Sequence, residues 1–86
     1  MSRIERIKKI IESQLKPNYF IIEDRSKLHK GHSNFDGLNE THLYIEIYSE
    51  LFKEKKTLEI HRKINKILEK EFDNGLHALE IKIKRN

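Results

Sequence analysis

Two stretches of strict alternation with a helical stretch between them constrain this chain more than any other feature. From Thr41 to Tyr48, Leu43, Ile45 and Ile47 fall on one side, while His42, Tyr44, Glu46 and Tyr48 fall on the other. A period of two is the mark of a half-buried strand. From His77 to Lys84 the same pattern returns, with Leu79, Ile81 and Ile83 as its apolar set. Between them, from about Leu58 to Phe72, Ile60, Ile64, Ile67, Leu68 and Phe72 recur at helical spacing, and Asn74-Gly75 supplies a stop that tolerates positive φ. A strand, a helix and a second strand in this order predict a right-handed parallel crossover.

The remaining segments complete the order. Ser2-Arg3-Ile4-Glu5 has the form of a capping box, and Ile4, Ile7, Ile11 and Leu15 follow at helical spacing until Pro17, so a first helix is expected from Ser2 to Leu15. Phe20-Ile21-Ile22 reads as a short strand that ends by Asp24. Arg25 to Glu40 contains Gly31, Gly37, His29 and His32 and follows neither period; it reads as a loop. Glu50-Leu51-Phe52 reads as a short helical turn, followed by the charged connector Lys53-Glu54-Lys55-Lys56. The expected architecture is α+β: one α-β-β-α-β domain over residues 1–86, with a mixed three-stranded sheet. Because the long strands alternate, helices should cover one face only, leaving Tyr44, Glu46, Tyr48, Glu80, Lys82 and Lys84 in water.

Composition narrows the functional classes. A chain of 86 residues with 36% hydrophobic and 37% charged residues has a thin core and little room for an enclosed substrate pocket. It has no cysteine, hence no disulfide and no thiolate metal site of its own, which favours a reducing compartment. No apolar signal core or membrane-length run is present in the sequence, so a cytoplasmic location without membrane association is expected. There is no cysteine nucleophile, no glycine-rich phosphate loop and no credible Ser-His-Asp spacing; the chain reads as a non-enzyme. A net charge of +4 and a pI near 9.4 permit contact with a polyanion. Lys55, Lys56, Arg62, Lys63 and Lys66 are the cations that would reach DNA phosphates. A solvated basic surface is the plainer reading of the same residues.

Taken alone, each histidine has an ordinary structural explanation. His77 sits at a helix-strand junction, His42 on the polar side of a strand and His61 beside the apolar face of a helix, where imidazole nitrogens find hydrogen-bond partners. His29-x-x-His32 offers two imidazoles suited to zinc but lacks a third ligand.

Taken together, Asp24-Arg25-Ser26, His29-Lys30-Gly31-His32, Thr41-His42-Leu43, Ser49-Glu50-Leu51-Phe52, His61-Arg62 and Gly75-Leu76-His77-Ala78-Leu79 resemble, in order and spacing, the motifs of the BolA family. The resemblance covers nearly the whole chain. Arg25 replaces an acidic residue of the family pattern, and Glu54 stands where many relatives have glycine. The resemblance implies a fold similar to a type II KH domain, and a monothiol glutaredoxin partner with which a [2Fe-2S] cluster is shared. It further implies that His77 ligates iron with His29, or with His32 as the alternate. Since this chain supplies only imidazoles, the thiolates would come from the glutaredoxin cysteine and its bound glutathione. Alone, the chain would be a monomer or a weak homodimer. The family is also linked to transcription regulation and stress response, which makes DNA binding through the basic helix surface the alternative. A KH grip on RNA is not expected, because Lys53-Glu54-Lys55-Lys56 lacks the Gly-x-x-Gly loop.

Overall fold

In a computed structural model, residues 2–26 and 40–85 are described. Helix α1 spans Arg3–Leu15, and the Ser2 side chain caps it by accepting from the Glu5 amide at 3.1 Å. It ends at Lys16, whose φ of 44° is left-handed, directly before Pro17. Strand β1 (Tyr19–Asp24) and strand β2 (His42–Tyr48) pair antiparallel, with Phe20 opposite Ile47 and Ile22 opposite Ile45. A 3₁₀ turn at Glu50–Phe52 leads to α2 (Thr57–Ile67), α3 (Glu69–Asp73) and strand β3 (Ala78–Ile83). Strand β3 pairs parallel with β2, His42 opposite Ala78 and Ile45 opposite Ile81, so the sheet order is β1-β2-β3. The mixed three-stranded sheet is as expected from the alternation.

The core lies on one face of the sheet. Ile7, Ile11 and Leu15 of α1, Leu43, Ile45 and Ile47 of β2, and Ile60, Ile64 and Leu68 of the second helical segment are all buried, together with Phe52 and Leu76. At about 25 cal/mol per Å² of apolar surface, such side chains contribute the dominant favourable term of folding.

Three departures from the sequence reading have physical causes. The second long helix is interrupted at Leu68 (φ −105°, ψ 11°), where the chain tightens and the Glu71 amide donates to the Leu68 carbonyl at 2.9 Å. Leu79, Ile81 and Ile83 are only half-buried, because β3 is an edge strand with a neighbour on one side. Tyr44, Glu46 and Tyr48, expected in water, are half-buried as well. On that open face Arg25 lies over the Tyr44 ring, 3.9 Å from its centroid, and its guanidinium pairs with Glu80 at 2.7 Å. The Tyr44 hydroxyl donates to Glu46 at 2.7 Å. The Glu46 carboxylate so close to the hydroxyl pushes the Tyr44 phenol up to about 12, while the same bond, with Lys84 beside it, lowers the Glu46 carboxyl below its ordinary range.

Candidate functional site

The ligand candidate His77 lies at the end of the sheet where β2 and β3 begin. Thr41 is 2% exposed, and its carbonyl accepts from the amides of both His77 (2.8 Å) and Ala78 (3.2 Å). This pair of bonds starts the parallel ladder and sets His77 at its mouth, where the residue is exposed. The His42 ring meets the His77 ring edge-on, with centroids 5.6 Å apart. Thr41 Oγ1 lies 3.0 Å from His42 Nδ1, which orients that imidazole. The sequence alone gives His42 a structural role, and the parallel register brings it to His77. The signal available in the sequence was the Thr41-His42 pair heading one alternating segment and His77 heading the other. His61 is half-buried on α2.

The chain leaves and re-enters this same end. Ser26, 1% exposed, donates its hydroxyl proton to Asp24 Oδ1 (2.6 Å) and accepts from the Thr41 amide (2.8 Å). Asp24 also accepts from the amides of Ser26 (2.9 Å) and Glu40 (3.2 Å). The Asp24-x-Ser26 and Thr41 motifs are therefore one polar clamp, buried at Ser26 and Thr41 and exposed at Asp24. It joins the two points between which residues 27–39 run, and Ser26 and Thr41 must keep their partners because burial without one is costly. The sequence-predicted ligands His29 and His32 lie outside the described residues.

A second clamp sets the approach to His77 from the helical side. Glu71 is 6% exposed on the apolar stripe of the second helical segment, where Phe72 was expected to be the core residue. Phe72 is half-buried instead. The carboxylate is tolerated there because Arg6 binds it at 2.8 and 2.9 Å and Arg3 at 3.1 Å. The Arg6 bonds foremost, opposed by burial and aided by Arg3, hold the Glu71 carboxyl below the usual carboxylate range. Arg3 also donates to the carbonyls of Glu40 and Asn74, each at 2.7 Å. One guanidinium thus ties the returning end of segment 27–39 to the turn before His77. In that turn Gly75 has φ +113°, and a Cβ there would stand 3.1 Å from Arg3 Nη2, so glycine serves both backbone and neighbour.

The basic residues are divided by the fold. Lys55, Lys56, Arg62, Lys63 and Lys66 are all exposed. Lys55 and Lys63 line one hollow with Leu15, Leu51, Phe52 and Ile60, whereas Lys66 lines another with Ile10, Gln14 and Ile67.

Chemically, the described part of the His77 end offers one exposed imidazole with a second beside it. No group of three or more metal-ligating side chains occurs among the described residues. Such a donor set fits a metal centre only as a contributor, with further ligands supplied from outside it. No helix of the described residues is long and apolar enough to cross a membrane.

Comparison with known proteins gives a consistent answer. A family model described as BolA-like protein matches residues 11–86. The chain is 35% identical over 82 residues to the chloroplastic protein BOLA1 of Arabidopsis thaliana, covering 93% of this chain and 51% of that protein, so it spans about half the length of that relative. It is 32% identical to the DNA-binding transcriptional regulator BolA of Haemophilus influenzae, covering 94% of this chain and 75% of that one. The solved BolA domain of SufE1 from Arabidopsis thaliana superposes with a TM-score of 0.86 at 38% identity, covering 98% of this chain and 92% of that one. With the family model matching residues 11–86 and these relatives alike in sequence and fold, the chain belongs to the BolA family.

Proposed function

We propose that this protein is the histidine-bearing partner of a monothiol glutaredoxin and shares a [2Fe-2S] cluster with it, in cluster trafficking or in iron and redox regulation. The observation that carries the reading is the exposed His77 with His42 at 5.6 Å, at the end of the sheet from which residues 27–39 depart and to which they return. His29 stands three residues after Ser26, a length of chain that spans at most about 11 Å. His77 and His29, or His32 in its place, would hold one iron. Imidazole replaces thiolate on one iron of a Rieske centre, which shows the ligation to be chemically sound. The chain has no cysteine, so the partner's cysteine and its glutathione would hold the other iron. In this role the protein works by binding and not by catalysis, in a reducing compartment such as the cytoplasm.

The test is reconstitution of the cluster from iron, sulfide and glutathione with a monothiol glutaredoxin, in the presence and absence of this protein. A heterodimer with an absorption and circular dichroism spectrum distinct from the glutaredoxin-only form supports the reading. Since only neutral imidazole ligates, acidification should return the cluster to the glutaredoxin-only form. Unchanged spectra would leave no shared cluster to explain.

The name of the Haemophilus influenzae relative favours a second reading, transcriptional control through DNA contacts of Lys55, Lys56, Arg62, Lys63 and Lys66. A gel-shift series in rising salt tests it, because phosphate contacts weaken steeply with salt.

A further inference from the structure

The pole of the molecule opposite the histidines carries a surface that the cluster-sharing reading leaves unused. Strand β2 runs from His42 to Tyr48, about 20 Å at the ordinary rise per residue, and then turns through Ser49 into Glu50–Phe52. There a hollow of about 170 Å³ is lined by Leu15, Leu51, Phe52, Ile60, Lys55 and Lys63. Leu15, Phe52 and Ile60 are buried, at 0, 3 and 1% exposure, but Leu51 is 49% exposed. An apolar hollow therefore opens beside an apolar side chain that the fold leaves in water. Its walls are anchored: the Ser49 hydroxyl donates to the Leu15 carbonyl at 2.5 Å, and Arg85 donates to the carbonyls of Phe52 (3.4 Å) and Lys55 (2.9 Å).

Charge decides what fits. Lys55 and Lys63 have no ion-pair partner among the described residues. Over residues 53–63, five cations (Lys53, Lys55, Lys56, Arg62, Lys63) face two carboxylates (Glu54, Glu59). The hollow is smaller than a cofactor site and suits a single side chain. A nucleic acid would meet the lysines but has nothing aliphatic to insert, and Phe52 is buried and offers no face for a base to stack on.

We propose that this hollow is a docking site for an acidic segment of a partner protein, which inserts one leucine or phenylalanine side chain beside Leu51 and pairs its carboxylates with Lys55 and Lys63. The site is separate from the His77 end, so its occupant can bind together with a partner there.

The test is an NMR titration of the full-length, isotope-labelled protein with a short synthetic peptide carrying a Leu-Phe pair between runs of glutamate. Two control probes are the same peptide with Ser-Ser in place of Leu-Phe, and an oligothymidylate. The expected result is shift changes at Leu15, Leu51, Phe52, Lys55, Ile60 and Lys63 that spare His42 and His77. The Ser-Ser peptide, the Leu51→Ser protein and the Lys55→Glu/Lys63→Glu protein should each lose about tenfold or more in affinity, as removal of a central anchor does. Leu51 is already half in water, so its replacement should leave the fold intact, and the wild-type shift map depends on no variant. The proposal is overturned if the Leu-Phe peptide shifts none of these residues at about millimolar concentration, or if the Ser-Ser peptide binds equally well. It is overturned too if the oligothymidylate occupies the same residues more tightly.

Discussion

The imidazole of His42 stands edge-on to that of His77, at 80° between ring planes and 5.6 Å between centroids, and this contact exists because the parallel register sets His42 opposite Ala78. Under the proposed function, His77→Ala should change the absorption and circular dichroism of the reconstituted heterodimer. The apo domain should keep its stability to within about 0.5 kcal/mol, as expected for an exposed side chain. His29→Ala should have a smaller spectral effect, because His32 can replace it. A wild-type spectrum from the His77→Ala heterodimer would sink the ligand assignment.

Ser26 is expected to be a structural hot spot despite its size. Removing its hydroxyl in Ser26→Ala takes away the acceptor of the buried Thr41 amide, while Asp24 Oδ1 keeps the Ser26 amide as a donor. The expected loss is about 1–3 kcal/mol, measured by urea denaturation, with faster hydrogen exchange at the Thr41 amide. Unchanged exchange at Thr41 would mean that the clamp does not hold the base of segment 27–39.

Glu71 should make stability depend on acid. Its carboxyl is held below the ordinary value of 4.5 by Arg6 and Arg3, so the folded state binds the ionised form more tightly than the unfolded chain does. The stabilisation is then complete above the unfolded value and fades as pH falls through the lower folded one. Glu71→Gln should cost about 2–4 kcal/mol near neutral pH, because it leaves two arginines facing an uncharged partner. The gap between the two proteins should narrow as the pH falls from above 4.5 through the lower folded value. Denaturant midpoints taken across that range decide the matter, and a constant gap would speak against the charge.

Glu54 has a φ of 66°, in the left-handed region that costs a side-chain-bearing residue about 1–2 kcal/mol. Glu54→Gly relieves that strain but gives the unfolded chain more freedom. The net expectation is a gain of about 0.5–1 kcal/mol, read as a higher melting temperature. A loss of stability would show that the Glu54 side chain makes a contribution larger than its backbone strain.

Much of the fold was legible because it rests on short-range geometry. The two-residue period of Leu43, Ile45 and Ile47 predicted three side chains that are 2, 0 and 0% exposed. The Ser2 cap, the stop before Pro17 and the positive φ of Gly75 likewise follow from the residue and its immediate neighbours. The position of His77 at a strand end was readable from the turn before it.

What the sequence determined by itself is thus the set of elements, their order and the residues able to face a core, since each depends on periods of two or 3.6 within one segment. Tertiary structure alone decided which segments became neighbours. It made β3 an edge, so that Leu79, Ile81 and Ile83 are half-buried. It allowed a carboxylate at Glu71 on an apolar stripe, because Arg3 and Arg6 from the other end of the chain reach it. It also set His42 against His77. These outcomes depend on register and on charges far apart in sequence, whose interaction energies exist only once folding has brought them together and excluded water.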